Sequence, residues 1–278
     1  MIKVSHSVFA LPFALAAAAL AFAAEGGWRW GTLLWIVFCA VTARTAAMAQ
    51  NRLADARLDA RNPRTETRAL PAGRVTRPFV LGVVIVSAAL FVFGAARLNP
   101  LCLRLSPVVL AVLLGYPFAK RFTSLGHLWL GASLGLAPVG AWLAVRGAFV
   151  GMETPLLLGL AVAFWTAGFD LIYACQDVDV DRAQGLCSVP ARLGTAGALR
   201  LSIALHVASV AFLAAVLWVD PHVGWIYAGG LAAAAALLGY EHSLVRPDDL
   251  SRVDVAFFTL NGIVSLVVGG LAVADALL

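Results

Sequence analysis

The side chains best placed to do chemistry in this chain are acidic, and they fall in two short clusters. The first lies in AQNRLADARLDARNPRTETRALPAG, residues 49–73, where Asn51, Asp55 and Asp59 recur every fourth residue. On a helix that spacing sets three oxygen ligands along one side. Such donors suit Mg²⁺, a hard cation usually held by one or two carboxylates together with phosphate oxygens. The spacing equally fits a helix surface of Asp–Arg pairs, with Arg52, Arg57 and Arg61 as partners. The second cluster lies in AGFDLIYACQDVDVDRAQGLCSVPARLG, residues 167–194, where Asp177 and Asp181 are again four apart. Asp170 is seven residues before Asp177, hence on the same helical stripe about two turns away. Tyr173 is about one turn before Asp177, and Asp179 points to the other side and reads as solvated.

Cationic groups accompany these acids. Arg64 and Arg68 directly follow the first cluster, and guanidinium groups bind phosphate bidentately. Arg74 and Arg77, further on, read as anchors on the positively charged side of a membrane. Arg44 lies two turns before Asn51 and faces the same side. It falls inside an apolar run, where a charge is costly and marks a functional site by default; a structural pair with Asp170 is the other reading.

The elements that must hold these groups are membrane helices. Of 278 residues, 62% are hydrophobic and only 13% charged, with a mean hydropathy of +0.90. A soluble domain carries about 25% charged residues, so a soluble globular fold, a disordered chain and a disulfide scaffold are excluded. Apolar runs fall at 8–24, 31–50, 79–97, 101–118, 128–145, 155–174, 198–219, 223–240 and 255–277. Each has roughly the 17–25 residues that a bilayer requires. The expectation is an all-α polytopic membrane protein of about nine helices, forming one domain over 1–278. The N-terminal run has Lys3 before it and Pro12 inside it and reads as the first span, not a cleaved signal peptide. The four cysteines (Cys39, Cys102, Cys175 and Cys187) have no metal-site spacing.

Charge sets the expected orientation. The net charge is +5, read as basic cytoplasmic loops and not as nucleic-acid binding. The loops after the second, fourth, sixth and eighth runs hold seven arginines from Arg52 to Arg77, then Lys120 and Arg121, Arg182 and Arg192, and Arg246 and Arg252. The opposite side holds little beyond Arg29, Arg97, Arg104 and Arg146. The N-terminus and both acidic clusters are therefore expected on the cytoplasmic side.

Taken together, the two clusters resemble the motifs of the UbiA superfamily of intramembrane polyprenyltransferases. The first, N-x₃-D-x₃-D followed by R-T-x₂-R-x-L-x-x-G, reads as Asn51, Asp55, Asp59, Arg64-Thr65, Arg68, Leu70 and Gly73. The second, D-x₂-Y-A-x₂-D-x₃-D with a later G-x-x-S and L-G, reads as Asp170, Tyr173, Ala174, Asp177, Asp181, Gly185, Ser188 and Leu193-Gly194. The stretches at 5–14, 115–142 and 240–262 are similar to the 4-hydroxybenzoate polyprenyltransferase branch. That branch includes relatives assigned to the futalosine route to menaquinone, which act on 1,4-dihydroxy-6-naphthoate.

The resemblance implies a bacterial-type inner-membrane enzyme of ubiquinone or menaquinone synthesis, with a polyprenyl diphosphate and an aromatic carboxylic acid as substrates and surrounding lipid as a partner. It implies that Asn51, Asp55, Asp59, Asp177 and Asp181 hold Mg²⁺ and that Arg64 and Arg68 neutralise the leaving diphosphate. For the acceptor, Arg44 is expected to anchor the carboxylate, with Lys120 and Arg121 in reserve, and Asp170 or Tyr173 to orient the hydroxyl or accept a proton. A rival class is a transporter of divalent cations or carboxylates, since intramembrane acids also mark ion pathways. Against it, these acids sit at helix ends on one face beside arginines. A phosphotransferase of the CDP-alcohol type would begin its motif D-G-x₂-A-R, which is missing here.

Overall fold

The computed structural model describes residues 9–278; Lys3 and the beginnings of the first run and of the 5–14 stretch lie outside them. Among the described residues there are nine long helices and one short one. They are α1 (Leu11–Glu25), α2 (Trp30–Asp59), α3 (Arg77–Leu98), α4 (Pro100–Gly115), α5 (Gly126–Arg146), α6 (Glu153–Ala174), α7 (Val178–Ala183), α8 (Val189–Val219), α9 (Trp225–Leu244) and α10 (Asn261–Leu277). A 3₁₀ segment, Tyr116–Arg121, continues α4, and a π-helical turn, Val255–Leu260, leads into α10. The nine apolar runs each become a long helix. Seven of these segments have the length and composition to cross a membrane; α1, with 15 residues, and α9, whose last turns carry Glu241 and His242, are the two outside that set.

Local sequence chemistry sets the helix ends. Asn99 accepts a hydrogen bond from the Cys102 amide at 2.8 Å, and Pro100 takes a first-turn position where its missing N–H costs nothing. Ser188 caps α8 in the same way, with Pro190 in the first turn. Gly194 interrupts α8 with φ +70° and ψ 170°, a backbone state that favours glycine. This kink explains why the helix starts at Val189, well before the apolar run at 198.

Two features orient the bundle. Trp30, Trp218 and Trp225 are exposed at the start of α2, the end of α8 and the start of α9, as expected where a helix leaves the hydrocarbon. The acidic clusters lie at the other end, on the last turns of α2 and at and just beyond the end of α6. The core lies between: α1 is buried along Phe13–Phe22, and Trp165 and Phe169 of α6 pack with Phe9 and Phe13. Polar side chains join helices where apolar burial cannot. Ser202 and Ser209 of α8 donate to the α6 carbonyls of Gly168 and Ala161 at 2.7 and 2.8 Å. Asn261 accepts from Trp165 at 2.6 Å and donates to Glu241 at 2.8 Å.

The tightest approach is between α5 and α6. A Cβ on Gly131 would fall 2.1 Å from the Ala163 carbonyl oxygen, and one on Gly135 would fall 2.4 Å from that of Gly159. Gly140 has nothing within 4 Å. Close packing, not room for a ligand, therefore explains the first two glycines. Gly131→Ala is expected to destabilise the protein by about 1–3 kcal/mol, the usual cost of overpacking, and Gly140→Ala hardly at all. Thermal unfolding in detergent checks this: equal melting temperatures for the two variants would contradict it.

Candidate active site

A cavity of about 1180 Å³ opens inside the bundle. Its polar end is lined by Asn51, Arg52, Arg64, Arg68, Lys120, Asp170, Tyr173, Asp177 and Asp181. Along α2 it runs back past Ala47, Arg44 and Ala40 to Ile36, and α4 adds Leu105 and Val108. From Asn51 to Ile36 this is about 22 Å at ~1.5 Å per residue. The shape is a polar mouth on a long apolar chamber.

The first cluster lies on the last turns of α2, as its spacing predicts. Asp55 and Asp59 are 3% and 7% exposed, too buried to be left as bare charges. Their partners are not Arg52, Arg57 and Arg61. Lys120, carried in by the 3₁₀ segment, holds Asp55 Oδ2 at 2.6 Å, and Asn51 Nδ2 reaches the same oxygen at 3.4 Å. Arg68 holds Asp59 Oδ1 at 2.7 Å. The loop after α2 thus folds back over its own helix end, and the Thr65 hydroxyl donates to the Asp59 carbonyl at 3.1 Å. Asp55 and Asp59 do not line the cavity; Asn51, Lys120 and Arg68, which hold them, do.

The second cluster departs from the continuous helix expected of it. α6 stops at Ala174, a 3₁₀ turn covers Cys175–Asp177, and α7 follows. Asp170, Asp177 and Asp181 nevertheless all reach the cavity wall, whereas Asp179 is exposed. Arg64 ties the two halves together. Its Nε donates to Asp177 Oδ1 at 3.0 Å, a terminal nitrogen meets Asp177 Oδ2, and the other donates to the Tyr173 hydroxyl at 2.8 Å. Asn62 adds a bond to Asp177 Oδ1 at 2.8 Å. Burial alone would lower the Arg64 guanidinium, but the hydrogen bond and charge of Asp177 outweigh it and hold the group above its ordinary value.

Arg44 lines the cavity, but it is not paired with Asp170. Its Nη2 lies 3.3 Å from the Met48 sulfur, and its Nε is buried without a partner among the described residues. Asp170 is taken by His127, whose Nδ1 lies 2.6 Å from Asp170 Oδ2. Arg121 is outside the wall: it donates to the Ala54 carbonyl at 2.6 Å and lies over the Phe118 ring. Sequence reasoning missed His127 and Asn62. A lone histidine at the start of an apolar run gives no periodic signal, and Asn62 belongs to neither acidic repeat.

The fit of this donor set to Mg²⁺ can be judged from its unpaired atoms. Among the described residues Asp55 Oδ1 and Asp59 Oδ2 are buried with no hydrogen-bond partner, although a buried carboxylate oxygen is normally satisfied. Among the described residues no group of three or more His, Cys, Asp or Glu forms a ready cage. Mg²⁺ does not require one, because it takes one or two carboxylates and completes its shell with substrate phosphate and water. The residues fit such an ion.

Known proteins match this chain over nearly its whole length. The model of the UbiA prenyltransferase family matches residues 10–263. The chain belongs to the UbiA prenyltransferase family. Among relatives of this UbiA-family prenyltransferase, the 4-hydroxybenzoate octaprenyltransferase of Cupriavidus necator is 34% identical over 264 residues, covering 93% of this chain and 90% of that one. The enzyme of the same name from Vibrio campbellii is 30% identical over 259 residues, covering 92% and 89%. Among solved structures, the apo form of a UbiA homologue from Aeropyrum pernix superposes with a TM-score of 0.90 at 36% identity, over 99% of both chains. A UbiA homologue from Archaeoglobus fulgidus bound to GPP and Mg²⁺ shares the fold, with a TM-score of 0.74 at 19% identity over 99% and 98%. The protein is thus an integral membrane enzyme of the prenyltransferase class.

Proposed function

We propose that this UbiA-family prenyltransferase moves a polyprenyl group from its diphosphate to a hydroxylated aromatic acid, either 4-hydroxybenzoate or 1,4-dihydroxy-6-naphthoate, in quinone synthesis. The observation that carries the reading is the pairing of a cation-rich, carboxylate-rich mouth with a long apolar chamber. The names of the relatives and the Mg²⁺-bound homologue support it.

Asn51, Asp55, Asp59, Asp177 and Asp181 would hold Mg²⁺, which when bound neutralises the diphosphate and eases its departure. Without substrate, Arg64, Arg68 and Lys120 rest on Asp177, Asp59 and Asp55. On substrate entry they exchange these carboxylates for diphosphate oxygens, so positive charge is already in place where negative charge develops. Ile36, Leu105 and Val108 line the chamber; the prenyl chain lies there, and the apolar wall keeps water from the allylic cation. Arg44 meets the acceptor carboxylate, and Asp170 or Tyr173 orients its hydroxyl. The acidic end faces the cytoplasm of a bacterial-type inner membrane, on the side of the basic loops.

The test is to incubate the purified protein with a prenyl diphosphate, Mg²⁺ and each acid in turn and to follow products by mass spectrometry. A prenylated, carboxylate-retaining aromatic product that disappears with EDTA is expected. Prenyl diphosphate consumed with no aromatic product from any hydroxylated acid would contradict the reading.

A further inference from the structure

His127 is polar, faces the cavity and has no part in the scheme above. Its Nδ1 lies 2.6 Å from Asp170 Oδ2. An ionised carboxylate only accepts hydrogen bonds, so opposite one a neutral imidazole carries its proton on Nδ1 and its lone pair on Nε2. Nε2 has no hydrogen-bond partner among the described residues, and both His127 and Asp170 line the cavity. We propose that His127 Nε2 accepts the hydroxyl proton of the aromatic acceptor, with Asp170 as its positioning residue. The proposal rests on the aromatic acceptor of the preceding section.

Three observations favour His127 over the expected candidates. The Tyr173 hydroxyl is engaged by Arg64 and its ring is stacked on Phe257 at 4.2 Å. One oxygen of Asp170 is engaged by His127 itself, and a carboxylate is a poorer match than an imidazole to a phenol near neutral pH. The dyad is also held by rigid parts. His127 is on the first turn of α5, one turn before Gly131, and Gly131 lies directly against the α6 backbone at Ala163, seven residues before Asp170. The contact between these two helices fixes the separation of the two side chains, as a preorganised pair requires.

The step balances as follows. The ring carbon ortho to the hydroxyl bonds to the allylic carbon, and the C–O bond to diphosphate breaks with its electron pair leaving on diphosphate. The hydroxyl proton passes to His127 Nε2, leaving a dienone. The ring proton at the new bond then leaves to diphosphate, its electron pair restores the aromatic ring, and the imidazolium returns its proton to the oxygen.

The test compares wild type, His127→Gln and Asp170→Asn on two acceptors: 4-hydroxybenzoate, and a ring-fluorinated analogue with one free ortho position, assayed at a pH where its hydroxyl is already ionised. His127→Gln should slow prenylation of 4-hydroxybenzoate by about 10²-fold or more, the scale of a lost general base, with the KM for prenyl diphosphate unchanged. On the ionised analogue the ratio of wild type to variant should shrink towards one, because no hydroxyl proton remains to be taken. Asp170→Asn should show the same acceptor dependence. Equal losses on both acceptors, or a loss confined to the KM for prenyl diphosphate, would overturn the role. If the wild type itself prenylates neither acceptor, the aromatic reading fails and this one with it.

Discussion

Asp177→Ala is expected to lower prenyl transfer by at least about 10²–10³-fold, the cost of removing a group that stabilises charge in the transition state. Asp177 anchors Arg64 through both carboxylate oxygens and also receives Asn62. Its loss removes one oxygen donor set and frees the guanidinium that should meet the diphosphate. Asp55→Ala is expected to fall as far by a second route, since Asp55 holds Lys120 by an ion pair and carries one of the first cluster's two buried carboxylate oxygens that have no partner among the described residues. Asp177→Asn and Asp55→Asn keep the volume of each side chain and should be folded and equally slow. The check is turnover with excess Mg²⁺ alongside size-exclusion behaviour. Near wild-type turnover in either folded alanine variant would remove these carboxylates from the catalytic machinery.

Arg44→Ala is expected to lose use of an acid acceptor while treating the corresponding ester as the wild type does. Arg44 is on the cavity wall, seven residues before Asn51 and therefore about 10 Å below it at ~1.5 Å per residue. Among the described residues its Nε has no partner, and its only polar neighbour by hydrogen bond is a thioether sulfur. A cation in such surroundings is costly unless an anion joins it, and the acceptor carboxylate is an anion of the right size and charge. Losing a hydrogen bond to a charged group costs about 1.5–3 kcal/mol, roughly 10–150-fold in kcat/KM for the acid. Arg44→Gln should behave alike, since an amide keeps hydrogen bonding but not charge. Equal losses for acid and ester in both variants would make Arg44 structural. The carboxylate site would then have to be Lys120, at present engaged by Asp55, or Arg121, engaged by the Ala54 carbonyl.

The sequence carried the scaffold of this site more clearly than its wiring. Apolar runs report helices directly because lipid demands internally satisfied backbones, and all nine became long helices. Asn51, Asp55 and Asp59 were correctly read as the helical continuation of the second run, because no breaker intervenes before Asp59. The break at Cys175–Asp177 was not legible: Cys-Gln-Asp has no glycine or proline to announce it. Ion-pair choice was hidden for a different reason. Local spacing offered Arg52 and Arg57 to the carboxylates, but Lys120 arrives from a distant segment and Arg68 from a loop that doubles back. Such partners are set by tertiary approach, not by helical periodicity. The same is true of Asp170, for which Arg44 on α2 was the alternative partner and His127 on α5 is the observed one.

The most direct test of aromatic prenyl transfer is the stoichiometry of diphosphate release by the purified protein in detergent or nanodiscs. A prenyl diphosphate and Mg²⁺ are supplied, with and without 4-hydroxybenzoate or 1,4-dihydroxy-6-naphthoate, and diphosphate and prenylated acid are counted together. Release should be slow without an aromatic acid, rise sharply when one is added, and match the prenylated product one for one. Release that is the same with and without every hydroxylated aromatic acid, with only prenyl alcohol formed, would contradict it.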